Sequence, residues 1–427
     1  MAKILIATVP LTGHINPGLP IAKLLNLKGH DIIWYTGKDF REKIETTGAR
    51  FIPFSIADEF NDHTISKKYQ ASDKIGALRQ AIHYFKSVFY GQMISQWQDI
   101  TNILSDFNAD LIITDWMFMG AIPIAEKNNF KWVIYSNSPI FYLSEDAPAP
   151  GGGFRYSVTP FARYQNRFVN WLTTYVLFAG VKKFVNIKRA EIGLKPIKSF
   201  FLDHNVNICS LFLQFATTKF EYPRGNLPAH AHFVGPVPPP ESSDLNFNWW
   251  PKLNEDHPVI FITQGTLDAD NINKLVIPSI QALKDMDFLI LVTTGGTGTR
   301  QLKSQFNYPN VFIEDYIPYN QLMPFVDVLI SNGGYGGVLN ALSFGVPVII
   351  AGNSEEKRDV ASRLEYSGAG LNLKTGTPKP RQIVKAIKKI LTDNSYKLKA
   401  LEIKADFEKY NAVEESVKLI EKLLEKS

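Results

Sequence analysis

A single cysteine, Cys209, means that this 427-residue chain can form no internal disulfide. It sits in the apolar run NVNICSLF, which reads as a strand carrying a buried thiol, and the absence of disulfides fits a reducing cytoplasm. No uninterrupted apolar stretch reaches the ~20 residues that span a bilayer, so integral membrane association is not expected. The opening MAKILIATVP is too short an apolar run for a secretory signal and lacks its small-residue cleavage site. An excess of one charge is missing too. The 46 Lys and Arg against 41 Asp and Glu read as spread along the chain, which argues against a nucleic-acid partner. GxGxxG does not follow the first strand, and GxxxxGK[ST] occurs nowhere, which disfavours Rossmann dehydrogenases and P-loop enzymes.

What is present is a repeated strand–loop–helix grammar. The first 36 residues read as KILIATV, PLTGHINPG, LPIAKLLNLKG and HDIIWYT, a βαβ unit with Gly29 at the helix stop. Near-continuous apolar strands of the kind buried on both faces recur at 110–115, 132–138 and 206–212. After the Pro-rich segment FVGPVPPPESSD a second series follows at 259–265, 288–296, 310–318, 326–334 and 346–352. The tail from Pro380 is helical and ends in VEESVKLIEKLLEKS, with apolar residues three and four apart. The pattern predicts an α/β protein of two doubly wound domains, 1–233 with a returning helix 411–427, a linker 234–245, and 246–410. Ligands of such sheets bind beyond the carboxyl ends of the strands, so the chemistry belongs in a cleft between the two.

Two constellations stand at those ends. Asn332-Gly333-Gly334-Tyr335-Gly336-Gly337 joins a strand to a helix, and glycines there let an anion approach backbone N–H groups at the positive end of a helix. A phosphate turn is the expectation. In the first half, Gly13-His14-Ile15-Asn16-Pro17 places a histidine after strand one. An imidazole that titrates near neutrality suits the removal of a proton from an acceptor hydroxyl. Asp115, closing LIITD at the same sheet edge, is the carboxylate placed to orient it. Asp268-Ala269-Asp270 and His230-Ala231-His232 are not read as metal sites. Carboxylates at a helix start are expected for dipole reasons, and the histidine pair lacks further ligands.

Together, GHINP, TQGT at 263–266, VFIEDYIPYNQLMPFVDVLISNGGYGG at 311–337, ALSFGVPVIIAG at 341–352 and SGAG at 367–370 resemble the GT-B-fold natural-product glycosyltransferases, which include UDP-glucuronosyl, flavonoid and macrolide enzymes. The resemblance covers essentially the whole chain. It implies two facing Rossmann-like domains and inverting, metal-independent transfer from a nucleoside diphosphate sugar, with His14 as general base and Asp115 behind it. It further implies Tyr316 stacked on the nucleobase and Ile317 meeting it through the backbone. Gly265, Thr266, Gly334, Gly336 and Gly337 would lie at the diphosphate, Asn340 at the ribose, and Glu356 and Lys357 at the sugar. Asn332, Asn340 and Lys357 depart from the family's usual histidine, glutamate and glutamine. With NGGYGG, the acidic–Lys pair looks most like bacterial flavonoid enzymes that use dTDP-rhamnose or UDP-glucose. The aromatic segments 84–90 and 141–178, with Phe85, Phe141 and Tyr142 foremost, together with Phe118 shortly after Asp115, are expected to line the pocket for a small apolar or phenolic acceptor, and the APAPGGG that interrupts the second segment reads as flexible. Macrolide, terpenoid or lipid acceptors are alternatives. A sugar-nucleotide epimerase and a nucleotide-sugar-binding protein are the rival readings.

Overall fold

The structure is a computed structural model, and it describes residues 1–69, 76–239, 247–265, 271–353 and 356–425. Strand β1 (Lys3–Ala7) shows why the apolar runs become central strands. Ile4 and Ile6 enter one core layer and Leu5 and Ala7 the other, all four essentially without solvent contact. A strand with a packed layer on each face admits a polar side chain only where a partner is built in, and each large aliphatic buried this way contributes roughly 1.5–3 kcal/mol.

Around β1 lie β2 (Asp31–Thr36), β3 (Arg50–Pro53), β4 (Leu111–Asp115), β5 (Trp132–Ser136), β6 (Leu211–Gln214) and β7 (Ala231–Phe233), in the order β3-β2-β1-β4-β5-β6-β7. The second sheet runs β10 (Val311–Glu314), β9 (Leu289–Thr293), β8 (Val259–Thr263), β11 (Val328–Ser331), β12 (Val348–Ile350) and β13 (Gly370–Asn372). Every pairing is parallel. In each sheet the strand order reverses direction once, between β1 and β4 and between β8 and β11. Connections leaving to opposite sides open a crevice at those two points. The chain therefore has the α/β GT-B architecture expected of it.

The last helix, Ala412–Glu425, returns to the first sheet, burying Ala412, Val417 and Ile420 against the layer that holds Ile4 and Ile6. Lys28 pairs with its Glu421 at 2.6 Å, and Lys131 Nζ donates to the carbonyl of Leu423 at 3.0 Å, where a helix end leaves acceptors free.

Two expectations fail locally. The run 206–212 is not one strand. Helix Phe201–Ile208 ends there and β6 begins at Leu211, with buried Cys209 between them as the helix cap. Apolar runs of this length fit either element, and the helix buries Phe201, Leu202, Asn205 and Val206, which recur three and four residues apart. Nor is APAPGGG a loose interruption. The amides of Gly151 and Gly153 donate to Asp359 of the second domain at 2.5 and 2.8 Å.

Candidate active site

The reversal point of the first sheet is furnished with side chains. His14 lies in a single helical turn, Thr12–Ile15, after β1. Asp62 accepts from the Thr12 amide at 3.0 Å and its hydroxyl at 2.6 Å. Tyr135, from β5, donates to the His14 carbonyl at 2.5 Å, and the Asn137 amide donates to that of Gly13. The imidazole is thereby set beside the end of β4, where Asp115 is fully buried. Asp115 Oδ2 accepts from the Val9 amide at 2.8 Å, and Oδ1 from the Met117 amide at 2.9 Å and from His14 Nδ1 at 2.8 Å. With Nδ1–H given to the carboxylate, Nε2 is the nitrogen left with a lone pair. Burial alone would lower the imidazole's pKa. The Asp115 charge and hydrogen bond outweigh it, with Glu356 and Asp62 adding to them, so the pKa is raised above its ordinary 6.5. Glu356 belongs to the other domain, so His14 feels both halves of the protein.

The reversal point of the second sheet is furnished with bare backbone. Gly265 follows β8 with φ +73°, and a Cβ there would stand 3.2 Å from Asn332 Oδ1, so the two ends touch. Gly333 turns the chain out of β11 at φ +91°, and Gly334 caps helix Tyr335–Ser343. Cβ atoms added at Gly336 and Gly337 would meet nothing within 4 Å, so the first turn of this helix faces open space. One turn further on, the buried Asn340 Oδ1 has no hydrogen-bond partner. Lys357 is buried, and its stem passes Gly352, whose own Cα packs on the Asn332 carbonyl. Asn332, Gly265 and Lys357 thus meet in one place. Tyr316 is 54% exposed, while Ile317 is wholly buried in the core of the second domain. Thr266, Asp268 and Asp270 lie outside the described residues. His230 Nε2 bonds the Val206 carbonyl at 2.8 Å.

Among the acceptor-side residues, Phe85 and Phe118 belong to the hydrophobic core and do not line an open surface. Phe118 is 1% exposed and meets Tyr35 edge-on at 6.1 Å, and Phe85 packs on Phe89, Phe178 and Phe201. Their apolar chemistry serves packing, which a single sequence does not separate from ligand contact. Tyr142 is buried too, its hydroxyl on Asn207 Oδ1 at 2.9 Å. Phe141 is half-buried and stacks on Trp116 with centroids 4.9 Å apart. Trp116, directly after Asp115, holds a buried Nε1–H without a partner. The sequence reading passed over it, although its place next to a strand-end aspartate was a usable signal.

Also unforeseen is a buried charge cluster between the domains. Glu221 accepts from Tyr335 Oη at 2.8 Å and Arg363 Nε at 2.8 Å, and the Tyr335 hydroxyl accepts from Gln214 of β6 at 3.2 Å. The tyrosine within the glycine turn thus points back into the first domain. No local periodicity links residues 142 positions apart. The cluster's signal is absent from sequence.

Residues 279–423 match the family described as Erythromycin biosynthesis protein CIII-like, C-terminal domain. The chain is 33% identical to 4'-demethylrebeccamycin synthase of Lentzea aerocolonigenes over 424 residues, 99% of this chain and 100% of that protein. To UDP-glycosyltransferase 2 of Phaeomoniella chlamydospora it is 28% identical, covering 98% of this chain and 95% of the other. Its fold is similar to that of the glycosyltransferase VinC, solved in complex with dTDP, with TM-score 0.68, 20% identity and 100% of both chains covered.

Proposed function

Since the chain belongs to the GT-B natural-product glycosyltransferases, enzymes that use nucleotide sugars, we propose that it moves a hexose, in one inverting displacement, onto a hydroxyl of a small aromatic acceptor. His14 Nε2 takes the hydroxyl proton as the oxygen attacks the anomeric carbon. The bond from that carbon to the diphosphate oxygen breaks on the opposite face, and the nucleoside diphosphate leaves with the electron pair. Asp115 is the positioning residue, fixing the tautomer and stabilising the imidazolium. The glycine turn and the start of helix Tyr335–Ser343 take the growing phosphate charge with N–H groups, and the reaction proceeds without a metal. On this reading residues 1–233 with 411–427 form the acceptor half and 246–410 the donor half, and Tyr316 carries the base.

The observation that carries the proposal is the His14 Nδ1–Asp115 contact of 2.8 Å at one reversal point, within electrostatic reach of Glu356 from the other domain. For the donor we favour a dTDP-deoxyhexose such as dTDP-rhamnose. The bound dTDP of the VinC complex and the substitution of Lys357 for a neutral amide support that choice. UDP-glucose is the second reading, supported by the UDP-glycosyltransferase relative. For the acceptor, the Trp116–Phe141 stack beside Asp115 supports a planar phenolic ring such as a flavonoid.

The test compares dTDP-rhamnose and UDP-glucose on one flavonol, in wild type and Lys357→Gln, with excess chelator as a further arm. We expect transfer from the dTDP sugar, an unchanged rate with chelator, and a kcat/KM ratio shifted towards UDP-glucose in the variant, with weaker binding of free nucleoside diphosphate. The same donor ratio in both proteins sinks the role given to Lys357, and a wild type that transfers from UDP-glucose alone sinks the donor assignment. Loss of rate on chelation that Mg²⁺ restores contradicts the metal-free step.

A further inference from the structure

The charges are not spread as evenly as the totals suggest. Residues 154–198 hold nine Lys and Arg and one acidic residue, Glu191, leaving 37 basic against 40 acidic residues in the rest of the chain. Arg163 and Arg167 pair with Glu145, Arg155 with Glu365, Lys188 with Glu191 and the buried Arg189 with Glu126, so the cations that matter here are Lys182, Lys183, Lys195 and Lys198. The same stretch carries the aromatics that the fold leaves outside. On helix Pro160–Leu172 and the turn after it, Phe161, Tyr164, Phe168, Trp171 and Tyr175 are 53% to 72% exposed, while the only fully buried member of the helix is Ala162. Their spacing of three and four puts them on one face. Three of the rings form a continuous ridge, with Phe168–Trp171 and Trp171–Tyr175 centroids each 6.2 Å apart and Lys182 Nζ 4.7 Å from the Tyr175 ring. Beside it, helix Ala179–Glu191 and the loop that follows present Lys183, Lys195 and Lys198 to solvent, and an open depression lies between Tyr175, Lys182, Lys183 and Ile187.

Aromatic rings with a polar edge, flanked by cations, fit the headgroup layer of a bilayer. The rings seat at the apolar boundary, while each lysine near an anionic leaflet raises partitioning about fivefold. A second copy of this chain would bring the same positive charge against itself, and an uncharged surface would leave the cations unmatched. We propose that this ridge docks the enzyme peripherally on an anionic lipid surface, without insertion of a spanning segment. Five residues before Phe161, Tyr156 stacks on Tyr222 at 5.1 Å and meets Tyr366 at 5.0 Å, so the aromatic face starts near the junction of the two sheets. Docking itself does not depend on which sugar or acceptor the enzyme uses.

The test is flotation of the full chain with vesicles of phosphatidylcholine alone and of phosphatidylcholine mixed with phosphatidylglycerol. The mixed vesicles should bind at least roughly tenfold more tightly, less so at high salt. The triple variant Phe168→Ser, Trp171→Ser, Tyr175→Ser should lose at least about tenfold of that binding. A second variant, Lys183→Glu with Lys195→Glu and Lys198→Glu, should abolish the preference for the anionic lipid. Wild-type nucleoside diphosphate affinity in each variant shows that the fold is intact. Indifference of the wild type to lipid charge, or undiminished binding by both variants, overturns the proposal. So does a wild type blind to vesicles that forms a dimer, or retains an acidic protein, in a way the serine variant abolishes.

Discussion

At the reversal point of the first sheet two backbone amides and an imidazole converge on the Asp115 carboxylate, whereas at that of the second, glycines leave the backbone bare. On the proposed reading the first edge needs a proton acceptor at one place, which a side chain with a tuned pKa supplies. The second then needs several donors around a bulky anion, which the backbone supplies once Cβ atoms are out of the way. The difference teaches that substitutions at the two edges should damage different quantities, chemistry at one and ligand affinity at the other.

The largest effect expected is at the first edge. His14→Ala should lower turnover by roughly 10²–10⁴-fold while calorimetry gives an unchanged affinity for the nucleoside diphosphate. Equal losses in both quantities would merge the two edges into one binding site and break the comparison.

Asp115→Asn should act next most strongly, and through pH. In the wild type the raised imidazole pKa places the acid limb of kcat/KM above pH 6.5, because the neutral base is lost as pH falls through that value. Removing the carboxylate removes both of its raising effects and leaves burial, the largest effect, which lowers the pKa against only the smaller raising effects of Glu356 and Asp62, so the limb should move to lower pH while the plateau drops. The sign for stability is opposite. The raised folded-state value means that the His14–Asp115 attraction stabilises the fold fully below pH 6.5 and is lost as pH rises through the folded value. An acid limb that does not move identifies Asp115 as a packing group, as does a variant that simply unfolds.

Two glycines sharpen the contrast from the other side, with smaller effects. Gly336→Ala adds a methyl group in open space at the start of a helix, so thermal unfolding should show a gain of a few tenths to about 1 kcal/mol while donor affinity falls. Gly333→Ala places its Cβ 2.7 Å from Ile350 Cγ2 at φ +91° and should cost on the order of 1–2 kcal/mol of stability. If Gly336→Ala binds nucleotide as the wild type does, the turn is not the phosphate site.

How much of this was legible beforehand follows from the range of each interaction. The strands β1, β4, β8 and β11 were readable because burial on both faces writes itself into four or five consecutive residues, and the placement of His14, Asp115 and the glycine turn at sheet edges because each directly follows or closes such a run. Phe85 and Phe118 misled because a core phenylalanine and a pocket phenylalanine look alike in sequence. The Glu221–Arg363–Tyr335 cluster and the Asp359 contacts to Gly151 and Gly153 were invisible, since they join domains through residues without shared spacing. The even spread of charge held for the totals and failed for 154–198, where a whole-chain count averages away a local excess.

The central claim is a single displacement with His14 as the base, and the anomeric configuration of the product tests it most directly. NMR of the glycoside made from a donor of known configuration gives the answer, from the one-bond C1–H1 coupling for rhamnose or from the H1–H2 coupling for glucose. One displacement predicts inversion at that carbon, with no glycosyl-enzyme detectable when donor is supplied without acceptor. Retention of configuration would require two displacements or a same-face departure, and would contradict the role given to His14.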